Sequence, residues 1–82
     1  MGIAEEFEAA QARVKGLAKA PSNDMLLGLY GLYKQATEGD IMGTRPGMMD
    51  FKGRAKYDAW ESRKGMTRED AMRAYVQAVN GL

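Results

Sequence analysis

The sequence predicts an all-α protein: one domain spanning residues 1–82, with four helices packed around one core. Three observations lead there. Apolar residues recur at steps of three and four along most of the chain. Glycine, proline and small polar capping residues interrupt that rhythm at intervals of helix length. No segment alternates apolar and polar residues as a half-buried strand does, and no internal repeat or low-complexity tract appears.

Helix 1 is expected from about Gly2 to Gly16, because Ile3, Phe7, Ala10, Val14 and Leu17 fall on one stripe. Gly16 and Pro21 mark the following turn, where Ser22 or Asn23 caps the next helix by accepting its unpaired N–H groups. Helix 2 then extends to about Glu38, with Leu26, Leu29, Tyr30 and Tyr33 on one side and Gly39-Asp40 as its stop. From Gly39 to Asp50 there is no periodicity, yet Ile41, Met42, Met48 and Met49 are apolar, which predicts an ordered crossing segment packed by these side chains. Helix 3 is expected from Phe51 or Lys52 to Lys64, turning Ala55, Ala59 and Trp60 inward, with Gly65 just past its end. Thr67, followed three residues later by Asp70, caps helix 4, whose stripe is Met72, Tyr75, Val76 and Val79. Short connections between helices 1 and 2 and between 3 and 4 favour neighbours, while the long middle crossing lets helices 2 and 3 run parallel. The expected order is up-down-down-up.

Composition removes most chemistry. The chain has no cysteine and no histidine, so disulfides, thiol nucleophiles, imidazole bases and the usual zinc sites are excluded. No serine-nucleophile elbow and no phosphate-binding loop motif occurs, and Asp58 with Glu61 reads as a solvated helix face. No apolar run is long enough for a membrane span, and Glu5 with Glu6 disqualifies the N-terminus as a signal peptide. The expectation is a cytoplasmic binding protein that is not an enzyme and uses no cofactor or metal.

Charge is segregated. Residues 1 to 12 carry Glu5, Glu6 and Glu8 and no base, whereas 45 to 64 holds Arg45, Lys52, Arg54, Lys56, Arg63 and Lys64 against Asp50, Asp58 and Glu61. Two clusters stand out as anion sites. Tyr30, Tyr33 and Lys34 share one helical surface, where an ammonium supplies charge to a phosphate, a phenol adds a directed hydrogen bond and a ring stacks a base. Lys52, Arg54 and Lys56 lie at the start of helix 3, whose dipole favours an anion. Tyr75 and Lys15 complete such a pocket from helices 4 and 1. The bland reading makes the tyrosines core residues with wet tips and the cations a solvated face. A nucleic-acid-binding module is the alternative of another class, but there is no helix-turn-helix signature and acids interrupt the basic stretch.

The segments YGLYKQATEGD (30 to 40), RPGMMDFKGRAKYDAW (45 to 60) and TREDAMRAY (67 to 75) resemble the acyl-CoA-binding protein family across essentially the whole chain. The resemblance implies the up-down-down-up bundle and a monomeric carrier. Such a carrier binds one long-chain acyl-CoA without chemistry, buffers and protects it, and delivers it transiently to lipid-metabolising enzymes, with no nucleic acid and no integral membrane association. It assigns the ribose 3′-phosphate to Tyr30, Lys34 and Lys56, the adenine to Tyr33, and the nucleotide end to Tyr75 and Lys15, with Lys52 as a further cation. Ala10, Met25, Leu26 and Leu27 would line the acyl groove.

The chain departs from the family pattern in places. Gly28 and Gly31 sit inside helix 2, where each is expected to cost about 1 kcal/mol relative to alanine. Gly28 would leave room near the tail and so tune acyl length. Tyr57 stands where a second tryptophan is frequent, which is expected to alter packing only. The chain stops at Leu82, short of a lysine-rich extension found in many relatives, with an expected effect on stability more than on binding.

Overall fold

The structure, a computed structural model, describes residues 2–82. Its elements are α1 (Ile3–Lys15), α2 (Asn23–Glu38), α3 (Phe51–Glu61) and α4 (Arg68–Asn80), with no strand among the described residues. The capping chemistry follows the sequence. Ser22 Oγ accepts from the Met25 N–H at 3.2 Å and Thr67 Oγ1 from the Asp70 N–H at 3.1 Å. Asp50, at the end of the crossing segment, caps α3 by accepting from the Gly53 N–H at 2.9 Å. Gly39 ends α2 with φ +83°, a left-handed conformation that costs a residue with a side chain.

Two helices are shorter than expected. Helix α1 stops at Lys15: the Gly16 N–H still bonds back to Ala12, but the Leu17 N–H reaches only Val14, three residues back at 3.4 Å, which leaves Leu17 outside and partly exposed. Helix α3 ends at Glu61 rather than Lys64. There the chain tightens into i→i−3 bonds from Arg63 to Trp60 and from Lys64 to Glu61, and the Ser62 hydroxyl donates to the Ala59 carbonyl at 2.7 Å.

The pairing of helices gives the topology. Lys56 meets Tyr30, Trp60 meets Lys34, and the Trp60 indole N–H donates to the Gly39 carbonyl at 2.8 Å, so α2 and α3 run parallel. Phe7 meets Tyr75 and Arg13 bonds Asn80, so α1 and α4 are parallel as well. The α2 end meets the α4 start, where Gln35 donates to the Met66 carbonyl and Arg68 to that of Glu38, so this pair is antiparallel. The bundle is therefore up-down-down-up. The helices in contact are α1 with α4, α4 with α2, and α2 with α3. Short connections did not make neighbours: the backbones of α1 and α2 do not meet, nor do those of α3 and α4, among the described residues. Each short link instead carries the chain across a gap between non-adjacent layers.

The core comprises Phe7, Ala10, Leu29, Leu32, Ala36, Ala71, Tyr75 and Val79, with Met25, Met72 and Val76 packed on it. Phe7 stands edge-on to Tyr75 at 5.0 Å between centroids, an arrangement worth about 0.5–1.5 kcal/mol beyond area burial. Helix α3 contributes no fully buried residue, and Ala55, Ala59 and Trp60 are only half-buried. It lies so close to α2 at Gly31 that a Cβ there would fall on the Ala59 carbonyl. Gly31 is thus required by helix contact.

The crossing segment differs from expectation in how it is held. Ile41 is buried, but Met42, Met48 and Met49 are exposed at 89%, 78% and 86%. Polar bonds do the holding. Arg45 grips Asp58 through two hydrogen bonds of 3.0 and 2.6 Å, Tyr57 donates to the Gly43 carbonyl at 3.3 Å, and Arg54 reaches the Pro46 carbonyl at 3.4 Å. The segment is laid along α3 by hydrogen bonds from its side chains. At the other end Asp40 accepts from buried Gln35 and from the Gly65 N–H, both at 2.8 Å, which ties α2 to the turn before α4.

Candidate functional site

Along α2, Leu26, Leu29, Tyr30 and Tyr33 form the side that the sequence singled out, and it proves to be a cleft wall more than a core face. A cleft of about 290 Å³ is lined by these four residues with Gln11, Val14 and Lys15 of α1 and Tyr75 of α4. A second, of about 420 Å³, lies between α2 and α3 and is lined by Asn23, Leu26, Leu27, Tyr30, Lys52, Ala55 and Lys56. Leu26 and Tyr30 belong to both, so the two clefts adjoin across one turn of α2.

Six of the seven head-group candidates therefore line these walls: Lys15, Tyr30, Tyr33 and Tyr75 in the first, and Tyr30, Lys52 and Lys56 in the second. The Lys56 ammonium stands 5.6 Å from the Tyr30 ring centroid, close enough for the ring face to favour the cation. Lys34 is placed differently. It lies 5.0 Å over the Trp60 ring and is ion-paired with Glu38 one turn on. The hydrogen bond to Glu38 raises the Lys34 pKa above its usual value, so the side chain remains a cation at neutral pH. Burial pushes the Tyr75 phenol up, with the Tyr33 phenol adding to the effect, which keeps Tyr75 a neutral donor there.

Of the acyl-groove candidates, Leu26 and Leu27 line the clefts, whereas Ala10 and Met25 line neither of them. Ala10 is buried in the core and borders a small recess with Glu6, Arg13 and Val76 on the α1–α4 side. Met25 packs against the core. Gly28 also lines neither cleft. It lies two positions from both Leu26 and Tyr30, about 200° around the helix, so it faces away from them. The expectation that Gly28 makes room for a tail fails on this geometry. Sequence reasoning missed Gln11, Asn23, Ala55 and the Glu38 partner of Lys34. Gln11 was accessible in principle, being one turn before Lys15 on the same face; Asn23 and Ala55 carry no signal apart from the fold.

The arrangement has donors and cations suited to phosphate, phenol faces suited to a base, and aliphatic wall beside them at Leu26 and Leu27. Glu5, Glu6 and the other acids of the described residues form no cluster with metal-ligand geometry. Comparison with known proteins agrees with this chemistry. The family described as "Acyl CoA binding protein" matches residues 4–79. Acyl-CoA-binding protein homolog 1 of Caenorhabditis elegans is 51% identical over 76 residues, 93% of this chain and 88% of the relative. The acyl-CoA-binding protein of Gossypium hirsutum is 49% identical over 82 residues, 100% of this chain and 92% of its own. Among solved structures, acyl-CoA-binding protein 2 of Oryza sativa superposes with TM-score 0.93 at 45% identity, covering 100% of this chain and 89% of that one. The Moniliophthora perniciosa structure gives 0.86 at 41% identity, covering 95% and 76%. With a fold, a cleft and a sequence pattern in agreement along nearly the whole chain, this protein belongs to the acyl-CoA-binding protein family.

Proposed function

We propose that the protein is a monomeric cytoplasmic carrier that binds one long-chain acyl-CoA, shields the thioester, buffers its free concentration and passes it to lipid-metabolising enzymes. The observation that carries this reading is the pair of adjoining clefts, which set phenols and ammonium groups beside aliphatic wall. An acyl-CoA is an amphiphile with a polyanionic nucleotide and an apolar tail, and it needs both. Tyr30 and Lys56 take the 3′-phosphate, joined by Lys34 once it leaves Glu38; Tyr33 stacks the adenine; Lys15, Lys52 and Tyr75 flank the nucleotide. Leu26 and Leu27 take the tail, where each buried methylene contributes about 0.8 kcal/mol. The family itself is named for binding rather than catalysis, and no described helix is long and apolar enough to cross a membrane.

Calorimetric titration with palmitoyl-CoA, free CoA and duplex DNA tests the reading. Tight one-to-one binding of the thioester, weaker binding of CoA and none of DNA is the expected result. Salt-sensitive DNA binding without acyl-CoA binding would overturn it in favour of a nucleic-acid module.

A further inference from the structure

Three of four consecutive residues at the tip of the crossing segment are large, apolar and open to solvent: Met48 at 78%, Met49 at 86% and Phe51 at 73% exposure. Folding gains nothing from leaving them there. Side chains exposed by roughly three quarters project from the surface instead of lining a groove, so what covers them receives the side chains into itself. The one acid among them, Asp50, is turned back to cap the Gly53 N–H. Around the tip, residues 42 to 58 hold Arg45, Lys52, Arg54 and Lys56 against Asp50 and Asp58, a net charge of +2, and with Arg45 paired to Asp58 the unpaired excess lies on Lys52, Arg54 and Lys56. Because α1 runs antiparallel to α3, its basic last turn, with Arg13 and Lys15, lies toward the same end of the bundle. The acids Glu5 and Glu6 of its first turn lie at the opposite end.

We propose that this tip is a docking surface for an anionic phospholipid bilayer, with Met48, Met49 and Phe51 entering the interface and the surrounding cations facing lipid phosphates. A projecting apolar cluster ringed by positive charge suits a bilayer, which pairs an apolar interior with an anionic face. Helix α3 begins at Phe51, and Lys52 and Lys56 of its first two turns line the second cleft. Docking therefore brings that cleft to the membrane surface. This use of the surface rests on the carrier reading, since an amphiphilic thioester partitions into bilayers and is collected there.

Two measurements on the full chain test it together. The first is sedimentation with vesicles of phosphatidylcholine alone or with about 30% phosphatidylserine, for the wild type and for the combined variant Met48→Ser, Met49→Ser, Phe51→Ser. The second is palmitoyl-CoA titration of both proteins without vesicles, with circular dichroism to verify helix content. The wild type is expected to partition onto anionic vesicles about tenfold more strongly than onto neutral ones, and the variant to lose about tenfold of this. Thioester affinity in solution should be unchanged. Equal partitioning of wild type and variant, or no wild-type partitioning, overturns the proposal. So does a concentration-dependent dimer that the variant abolishes, which would give the tip to a second copy. Failure of the carrier reading shows separately, as absent thioester binding by a wild type that still binds vesicles.

Discussion

The Glu38 carboxylate holds the Lys34 ammonium one helical turn away, over the face of Trp60. On the proposed site, a phosphate arriving at Tyr30 and Lys56 would have to take Lys34 from that partner, which would make Glu38 an internal competitor for the ligand. An exposed pair of this type is worth about 0.2–1 kcal/mol. Glu38→Gln is therefore expected to tighten palmitoyl-CoA binding about two- to fivefold by calorimetry, with fold and stoichiometry unchanged. Weaker or unaltered binding would remove Glu38 from the site.

Head and tail contributions separate with two substitutions. Lys56→Ala is expected to weaken free CoA and palmitoyl-CoA alike, by about 1.5–3 kcal/mol, the scale of a charged hydrogen bond. Leu27→Ala should cost palmitoyl-CoA about 1 kcal/mol and leave free CoA untouched, since it removes only apolar wall. Equal losses of both ligands in Leu27→Ala would take the tail out of the α2–α3 cleft.

The two glycines inside α2 have opposite consequences. At Gly28 nothing lies within 4 Å of an added Cβ, so Gly28→Ala is expected to stabilise by about 0.5–1 kcal/mol through helix propensity. It should change the affinity for acyl-CoAs of every length equally. At Gly31 the added carbon meets the Ala59 backbone, which cannot swing aside as a flexible side chain does. There Gly31→Ala is expected to destabilise by about 1–3 kcal/mol, overpacking outweighing propensity. Urea unfolding of both variants reads the signs directly.

Asp40 provides an acid-sensitive tie. The Gly65 N–H, followed by Gln35, holds its carboxyl below the usual value of 3.8, so the folded chain binds this proton less readily than the unfolded one. Its stabilising contribution is complete above that ordinary value and is lost as the pH falls through the depressed one. The urea midpoint of Asp40→Asn should therefore lie below that of the wild type at pH 7, and the gap should narrow near pH 3. A gap that persists unchanged in acid would separate the stability effect from ionisation.

Among the described residues α3 meets no helix but α2, and it buries no residue completely. Its amides should exchange with solvent faster than those of α4, which carries Ala71, Tyr75 and Val79 in the core. Saturating palmitoyl-CoA is expected to slow exchange in α3 more than in α4, because Lys52, Ala55 and Lys56 lie against the second cleft. Equal protection of the two helices in the free protein would contradict this ordering.

Local features were legible in the sequence because they depend on neighbours in the chain. Ser22 and Thr67 cap their helices as their positions imply, and Gly39 takes the positive-φ turn that stops α2, whereas Gly65, also at positive φ, lies four residues beyond the end of α3, in the turn before α4. The face holding Leu26, Tyr30 and Tyr33 was also visible, though periodicity alone does not distinguish a cleft wall from a core stripe. What stayed hidden depends on three-dimensional approach. The need for glycine at position 31 arises from Ala59, and the exposure of Met48 and Met49 from a segment held by Arg45, Arg54 and Tyr57 instead of by its apolar residues. Connection length misjudged which helices meet, since it limits reach and says nothing of which face is left to bury.

The parallel pairing of α1 with α4 also orders events during synthesis. Helix α1 emerges first, yet among the described residues the helix its backbone packs on is α4, which is made after the other three. Before Ala71, Tyr75 and Val79 are made, Phe7 can meet Tyr33 of α2, 6.0 Å away between ring centroids, but the α4 part of the core around it and Ala10 is missing, and the inner face of α2 waits for the same residues. Helix α4 is thus the element whose arrival closes the bundle.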